Sequence, residues 1–167
     1  FRQITRRPTT SSTEKSDARM GWLIIVGSLP IAILGYLGQD VISNDFRSLW
    51  LIASTLIIFG VILGIADKYG NSQRDLTNLS VRDGVLYGFA QSLALIPGVS
   101  RSGATIAMGR FLGYNRQAAL RYSFLLAVPA VFGSGFYELK GAISEGGDTG
   151  VFTLAETLLA TGIAFVI

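Results

Sequence analysis

The residues most able to do chemistry lie together between Gln91 and Gly113, in the run QSLALIPGVSRSGATIAMGRFLG. An apolar segment, Leu93 to Ile96, stops at Pro97-Gly98. A polar turn follows, Ser100-Arg101-Ser102-Gly103, and the spacing predicts a second helix from Ala104. Arg101 is the sole charge of this break. Glycines at 98 and 103 allow a tight turn and close approach of backbone to a ligand. Free N–H groups at a helix start, two hydroxyls and a guanidinium can converge on an anion, with phosphate the natural candidate. Pro-Gly between apolar segments also marks an ordinary loop, and turn chemistry by itself favours neither reading.

The surroundings separate the two readings. The 167 residues are half hydrophobic and 15% charged, and mean hydropathy is +0.48. A soluble domain would carry more charge. Charge is absent from Gly21 to Gly38 and from Ser48 to Ala66, each long enough to cross a hydrocarbon core of about 30 Å as a helix. The expected fold is therefore all-α, a polytopic membrane helical bundle. No histidine and no cysteine is present. Imidazole acid/base work, phosphohistidine intermediates and thiol chemistry are excluded within this chain.

Residues 1–20 read as a polar, basic arm, mobile around its Ser/Thr-rich stretch from Thr9 to Ser16. Beside a span, such an arm is a cytoplasmic anchor rather than a nucleic-acid site. Residues 21–66 hold two transmembrane helices, with Gly60 and Gly64 on one face for close helix packing. Residues 67–83 form a second basic, cytoplasmic loop. A capping box at Ser80–Asp83 opens the next helix, and Thr153–Glu156 resembles another. The apolar part of the helix before Pro97 is about 20 Å long and the one after the break about 15 Å, too short for either to cross. Residues 84–113 thus read as re-entrant, turning at membrane depth, where irregular backbone must be buried in protein or line a cavity. Arg101 would then lie in the membrane slab, at a cost of about 2.5–3.5 kcal/mol unless it faces a cavity or partner. Residues 114–167 hold a further span with Pro129 inside it, a glycine-rich loop and a last helix. The chain starts at Phe1 and ends in an apolar run, and reads as an internal or C-terminal piece of a longer protein.

Gly88 to Gln91, Ala94 to Thr105 with its Pro-Gly-Val-Ser-Arg-Ser-Gly core, and Arg121 to Ala130 closely resemble the undecaprenyl-diphosphate phosphatases, the bacitracin-resistance membrane phosphatases of bacteria. The resemblance runs from Trp22 onward. It implies a multi-pass protein of the bacterial plasma membrane that hydrolyses undecaprenyl diphosphate to undecaprenyl phosphate and inorganic phosphate, recycling the carrier of peptidoglycan synthesis. On this reading Arg101, Ser100 and Ser102 are catalytic, and Gly98, Gly103, Gln91 and Thr105 bind substrate. Gln91 either bonds the turn or the diphosphate, or bridges two helices. A divalent cation, Mg²⁺ or Ca²⁺, is implied as cofactor. The family's first motif, with paired glutamates, a serine and a histidine, has no counterpart here, so metal ligands and the acid/base group are expected in an N-terminal repeat related to this one by inverted topology. A homodimer is left open. The alternative function is a transporter or flippase for an anionic lipid, since broken helices with a charged turn also bind transported anions. A purely structural subunit would explain the spans but not Arg101.

Overall fold

The computed structural model describes residues 10–38, 48–70, 72–144 and 154–166. The described elements are helices: α1 (Thr10–Leu37), α2 (Leu49–Tyr69), α3 (Val81–Ser92), α4 (Arg101–Phe111), α5 (Arg116–Ser144) and α6 (Leu154–Val166), with 3₁₀ turns at Leu76–Asn78 and Leu93–Leu95. Among the described residues there is no strand, only one isolated bridge between Arg74 and Tyr114. Segments 17–37, 49–69 and 116–141 are long and apolar enough to cross a membrane. The Gln39–Arg47 loop and the second capping box fall at least partly outside the described residues.

The mobile-arm expectation is corrected: α1 starts at Thr10, inside the arm. Glu14, Lys15, Ala18, Arg19 and Met20 are good helix formers, and extending an existing helix needs no new nucleation. Arg19 also ties this end down, donating to the Leu79 carbonyl at 2.6 Å.

Two compact units divide the chain, Phe1–Ala130 and Val131–Ile167. In the second, the Phe132 and Phe136 rings lie 6.4 Å apart on α5. The first carries the candidate site. There α1 packs on α3, α2 on α4, and α3 on α4. A Cβ on Gly88 of α3 would collide with the Gly27 carbonyl and lie 2.9 Å from the Pro30 ring, so these two helices approach backbone to backbone. A Cβ on Gly109 of α4 would likewise collide with the hydroxyl end of Tyr87 of α3. The packing expected at Gly60 and Gly64 is not made: their faces are open among the described residues. The helix facing α2 is α4, and it lies on the side of Thr55, Leu63 and Ala66 instead.

The chain returns after the break to the end it left. Tyr114, just beyond α4, donates to the Asp83 carboxylate at the start of α3 at 2.7 Å. The Arg74 amide donates to the Gly113 carbonyl, and Asn115 donates back to the Arg74 carbonyl, both at 3.0 Å. Gly113, at φ 86°, ends α4. Arg110, 2% exposed, donates to the carbonyls of Gly70 and Tyr114 at 2.8 Å and pins α4 to the end of α2. Arg116 pairs with Asp67 at 2.5 Å.

Asp83 closes the capping box with Ser80 and accepts from Arg74 at 2.7 Å. Burial pushes its carboxyl up. The hydrogen bonds from Tyr114, Arg74 and Ser80 together more than reverse this, so the folded-state value lies below the ordinary one. A lowered carboxyl contributes stability above its unfolded pKa and loses it as pH falls through the folded value. The melting temperature of the wild type is therefore expected to drop as pH falls below about 4. Asp83→Asn is expected to melt lower at neutral pH and to be flatter across that acid window. A steep acid loss retained in Asp83→Asn would place the titrating group elsewhere.

Candidate anion site at the helix break

The break begins one turn earlier than the sequence suggests. Helix α3 ends at Ser92, a 3₁₀ turn carries the chain to Leu95, and Ile96 is extended. Residues 97–100 then turn, and Gly98 adopts φ 90°, a conformation that favours glycine.

Helix α4 starts at Arg101 rather than Ala104. Ser100 is its N-cap, accepting from the Gly103 amide at 3.2 Å. The Ser cap satisfies one of the first amides, and this starts the helix three residues sooner. Arg101 and Ser102 thus occupy the first helical turn, and Gly103 is helical rather than part of the break. The Ser100 and Ser102 hydroxyl oxygens lie 3.4 Å apart, and both residues are exposed. Arg101 is half-buried, and among the described residues its guanidinium makes no hydrogen bond or ion pair. The arginines beyond it on α4 and at the start of α5 contrast with this: Arg110 and Arg116 are both engaged with the end of α2. A helix N-terminus with a serine pair and an uncommitted arginine can hold a tetrahedral anion.

The structure therefore brings together Ser100, Arg101, Ser102, Gly98 and Gly103. It places the other two candidates differently. Thr105 is 1% exposed, and its hydroxyl is taken up by the carbonyls of Arg101 and Ser102 at 2.9 and 3.1 Å. It supports the first turn of α4 from within. Gln91 is fully buried on α3, and neither atom of its amide has a partner among the described residues. It bonds neither the turn nor a neighbouring helix in this structure. A buried amide left unpaired is costly, and an apolar side chain of similar shape removes that cost. Gln91→Met is expected to hold or raise the melting temperature, by about 2–4 °C per kcal/mol recovered. A fall of similar size would mean that the amide has a partner beyond the described residues.

One residue of this site had no signal in the sequence. Thr55 of α2 donates its hydroxyl to the Pro97 carbonyl at 2.8 Å. It lies 42 residues from the turn, and a threonine in an apolar helix usually bonds its own backbone. Thr55 is the seventh residue of α2, so the turn meets that helix about 9 Å from its Leu49 end.

Comparison with known proteins gives the family. The family model described as "Bacitracin resistance protein BacA" matches residues 1–167. The chain belongs to the BacA family. It is 60% identical over 156 residues to a protein named undecaprenyl-diphosphatase from Pseudarthrobacter chlorophenolicus, covering 93% of this chain and 56% of that one. Identity is 61% over 151 residues to an undecaprenyl-diphosphatase of Micrococcus luteus, covering 90% and 54%. It is 57% over 153 residues to undecaprenyl-diphosphatase 2 of Agrobacterium fabrum, covering 92% and 54%. The chain thus spans about half the length of these curated relatives. Membership of the BacA family and three helices of membrane-crossing length and hydropathy make it a multi-pass bacterial membrane protein.

Proposed function

We propose that this chain forms the phosphate-binding half of an undecaprenyl-diphosphate phosphatase, which releases inorganic phosphate and leaves undecaprenyl phosphate. The observation that carries the proposal is the Arg101 guanidinium on the first turn of α4, without a partner among the described residues and flanked by the Ser100 and Ser102 hydroxyls. The names of the BacA relatives supply the substrate. Arg101 would clamp phosphate oxygens through its planar fork and stabilise charge on the transferring phosphoryl group. The serines and the first amides of α4 would hold the remaining oxygens. Exposed apolar residues such as Leu56, Ile57 and Val61 of α2 suit a lipid environment in which the polyprenyl tail can lie.

A divalent cation does not fit the residues present. Among the described residues no group of three or more carboxylate, His or Cys side chains comes together, and Gly84 to Tyr137 contains no carboxylate. The ligands of a metal site would have to come from the rest of the family's length.

On this reading residues 84–113 are re-entrant, and the basic arm and the 67–83 loop lie in the cytoplasm. The turn would then sit nearer the outer end of α2, and an inverted repeat would complete the site. Arg82 and Gln117 are both exposed, one on the first turn of α3 and the other at the start of α5. Single cysteines there are expected to react with an impermeant reagent from the same side of the membrane. Labelling from opposite sides would mean a single crossing.

Enzyme and transporter are separated by turnover. The full-length protein in detergent, with no gradient, is expected to release inorganic phosphate from undecaprenyl diphosphate. Binding without release would favour a flippase.

A further inference from the structure

The helix break is held in place by a side chain from another helix. Thr55 Oγ1 lies 2.8 Å from the Pro97 carbonyl oxygen, and 2.9 and 3.0 Å from the Leu51 and Ile52 carbonyls of its own helix. A hydroxyl has one hydrogen, so these three acceptors compete for it. The two carbonyls within α2 belong to its helical hydrogen-bond ladder. Pro97 O accepts from no other group among the described residues, and an unpaired carbonyl in apolar surroundings is costly. The balance of need therefore favours Pro97.

Gly98 makes the same contact from the other side. A Cβ there would collide with the Thr55 hydroxyl and lie 2.6 Å from the Ile52 carbonyl oxygen. The turn backbone is thus seated on α2 at Ile52 and Thr55, and Ser100 and Arg101 follow two and three residues after Gly98. The seat and the pin at Arg110 hold the two ends of the segment against the same helix.

We propose that Thr55 is a positioning residue of the anion site. Its hydroxyl holds the Pro97 carbonyl, which sets the path of residues 97–100 and so the direction in which the first turn of α4 presents Arg101. Thr55 touches no substrate and acts through Pro97 and Gly98. The proposal rests on the phosphatase reading for its kinetic consequence only.

The test uses full-length protein in detergent, undecaprenyl diphosphate as substrate, and the variants Thr55→Val and Thr55→Ser. Thr55→Val keeps the shape and loses the hydroxyl. It is expected to lower kcat by about 10- to 100-fold while KM moves no more than about threefold, because misplacing a group that acts in the transition state costs rate rather than binding. Thr55→Ser restores the donor and is expected to recover most of kcat. A hydroxyl serving α2 alone would change the melting temperature without this split. Thr55→Val with a kcat within about threefold of wild type overturns the proposal, as does Thr55→Ser impaired as much as Thr55→Val. If Thr55→Val does not survive purification, Thr55→Ala replaces it.

A second readout needs no turnover. Modification of Arg101 by phenylglyoxal, followed by mass spectrometry, is expected to change in rate in Thr55→Val and not in Thr55→Ser. Equal rates in all three proteins overturn the positioning role. A wild type that releases no phosphate while the Arg101 rates differ overturns the phosphatase reading alone.

Discussion

Arg101→Ala, made in the full-length protein, is expected to abolish phosphate release, with a loss of about 10³-fold or more in kcat/KM. The guanidinium stands at the N-terminal turn of α4, half-buried, and makes no hydrogen bond or ion pair among the described residues. Holding such a group in a membrane-spanning protein is costly without an anion to meet it. The neighbouring arginines are engaged elsewhere, Arg110 with carbonyls at the far end of α4 and Arg116 with Asp67. Arg101→Lys keeps the charge but loses the planar fork, and it is expected to recover only a small part of the rate. Melting temperature should be almost unchanged in both variants, since the side chain contributes no hydrogen bond or ion pair among the described residues. Near-normal release by Arg101→Ala, measured as free phosphate, would remove the centre of the functional reading.

The 167 residues expressed by themselves are expected to bind phosphate weakly and to hydrolyse nothing. Phosphoryl transfer to water needs a group to take a proton and commonly a metal to gather the oxygens. The chain has no histidine, and no carboxylate lies between Gly84 and Tyr137. Asp67 and Asp83 are both ion-paired, and both sit at the end of the helices away from Arg101, beside Arg116 and Arg74. The chain spans about half the length of its BacA relatives, so the proposed second half of the site has room in the remainder. Purified in detergent with undecaprenyl diphosphate and Mg²⁺ or Ca²⁺, the chain should release no phosphate above background. Co-expression with the remaining portion should restore release. Clear turnover by the chain alone would refute the divided site, and would move the chemistry onto Ser100, Ser102 and their neighbours.

What could be read from the sequence was what depends on neighbours along the chain. The two charge-free stretches announced α1 and α2, because crossing a bilayer is a matter of length and hydropathy. Ser80 and Asp83 announced the start of α3, because a capping box is closed within four residues. Pro97-Gly98 announced the break, and Gly98 does take the positive φ that glycine permits. Even locally there were limits. Gly103 has the type and spacing of a turn residue, and the Ser100 cap instead places it inside α4.

What depended on helices distant in sequence was not legible. Gly60 and Gly64 had the spacing of a packing face, yet their faces are open among the described residues, while Gly88 meets the backbone of α1 and Gly98 that of α2. Gln91 had the chemistry of a ligand and is buried without a partner among the described residues, since its position on α3 turns it into the interior. Thr55 had no motif at all. A hydroxyl in an apolar helix reads as an ordinary span residue until the tertiary fold brings a carbonyl 42 residues away to 2.8 Å. Residue types and local spacing determined that an arginine-bearing helix break exists in a membrane bundle. Only the packing of α2 against that break decided where it is seated and which side chain holds it.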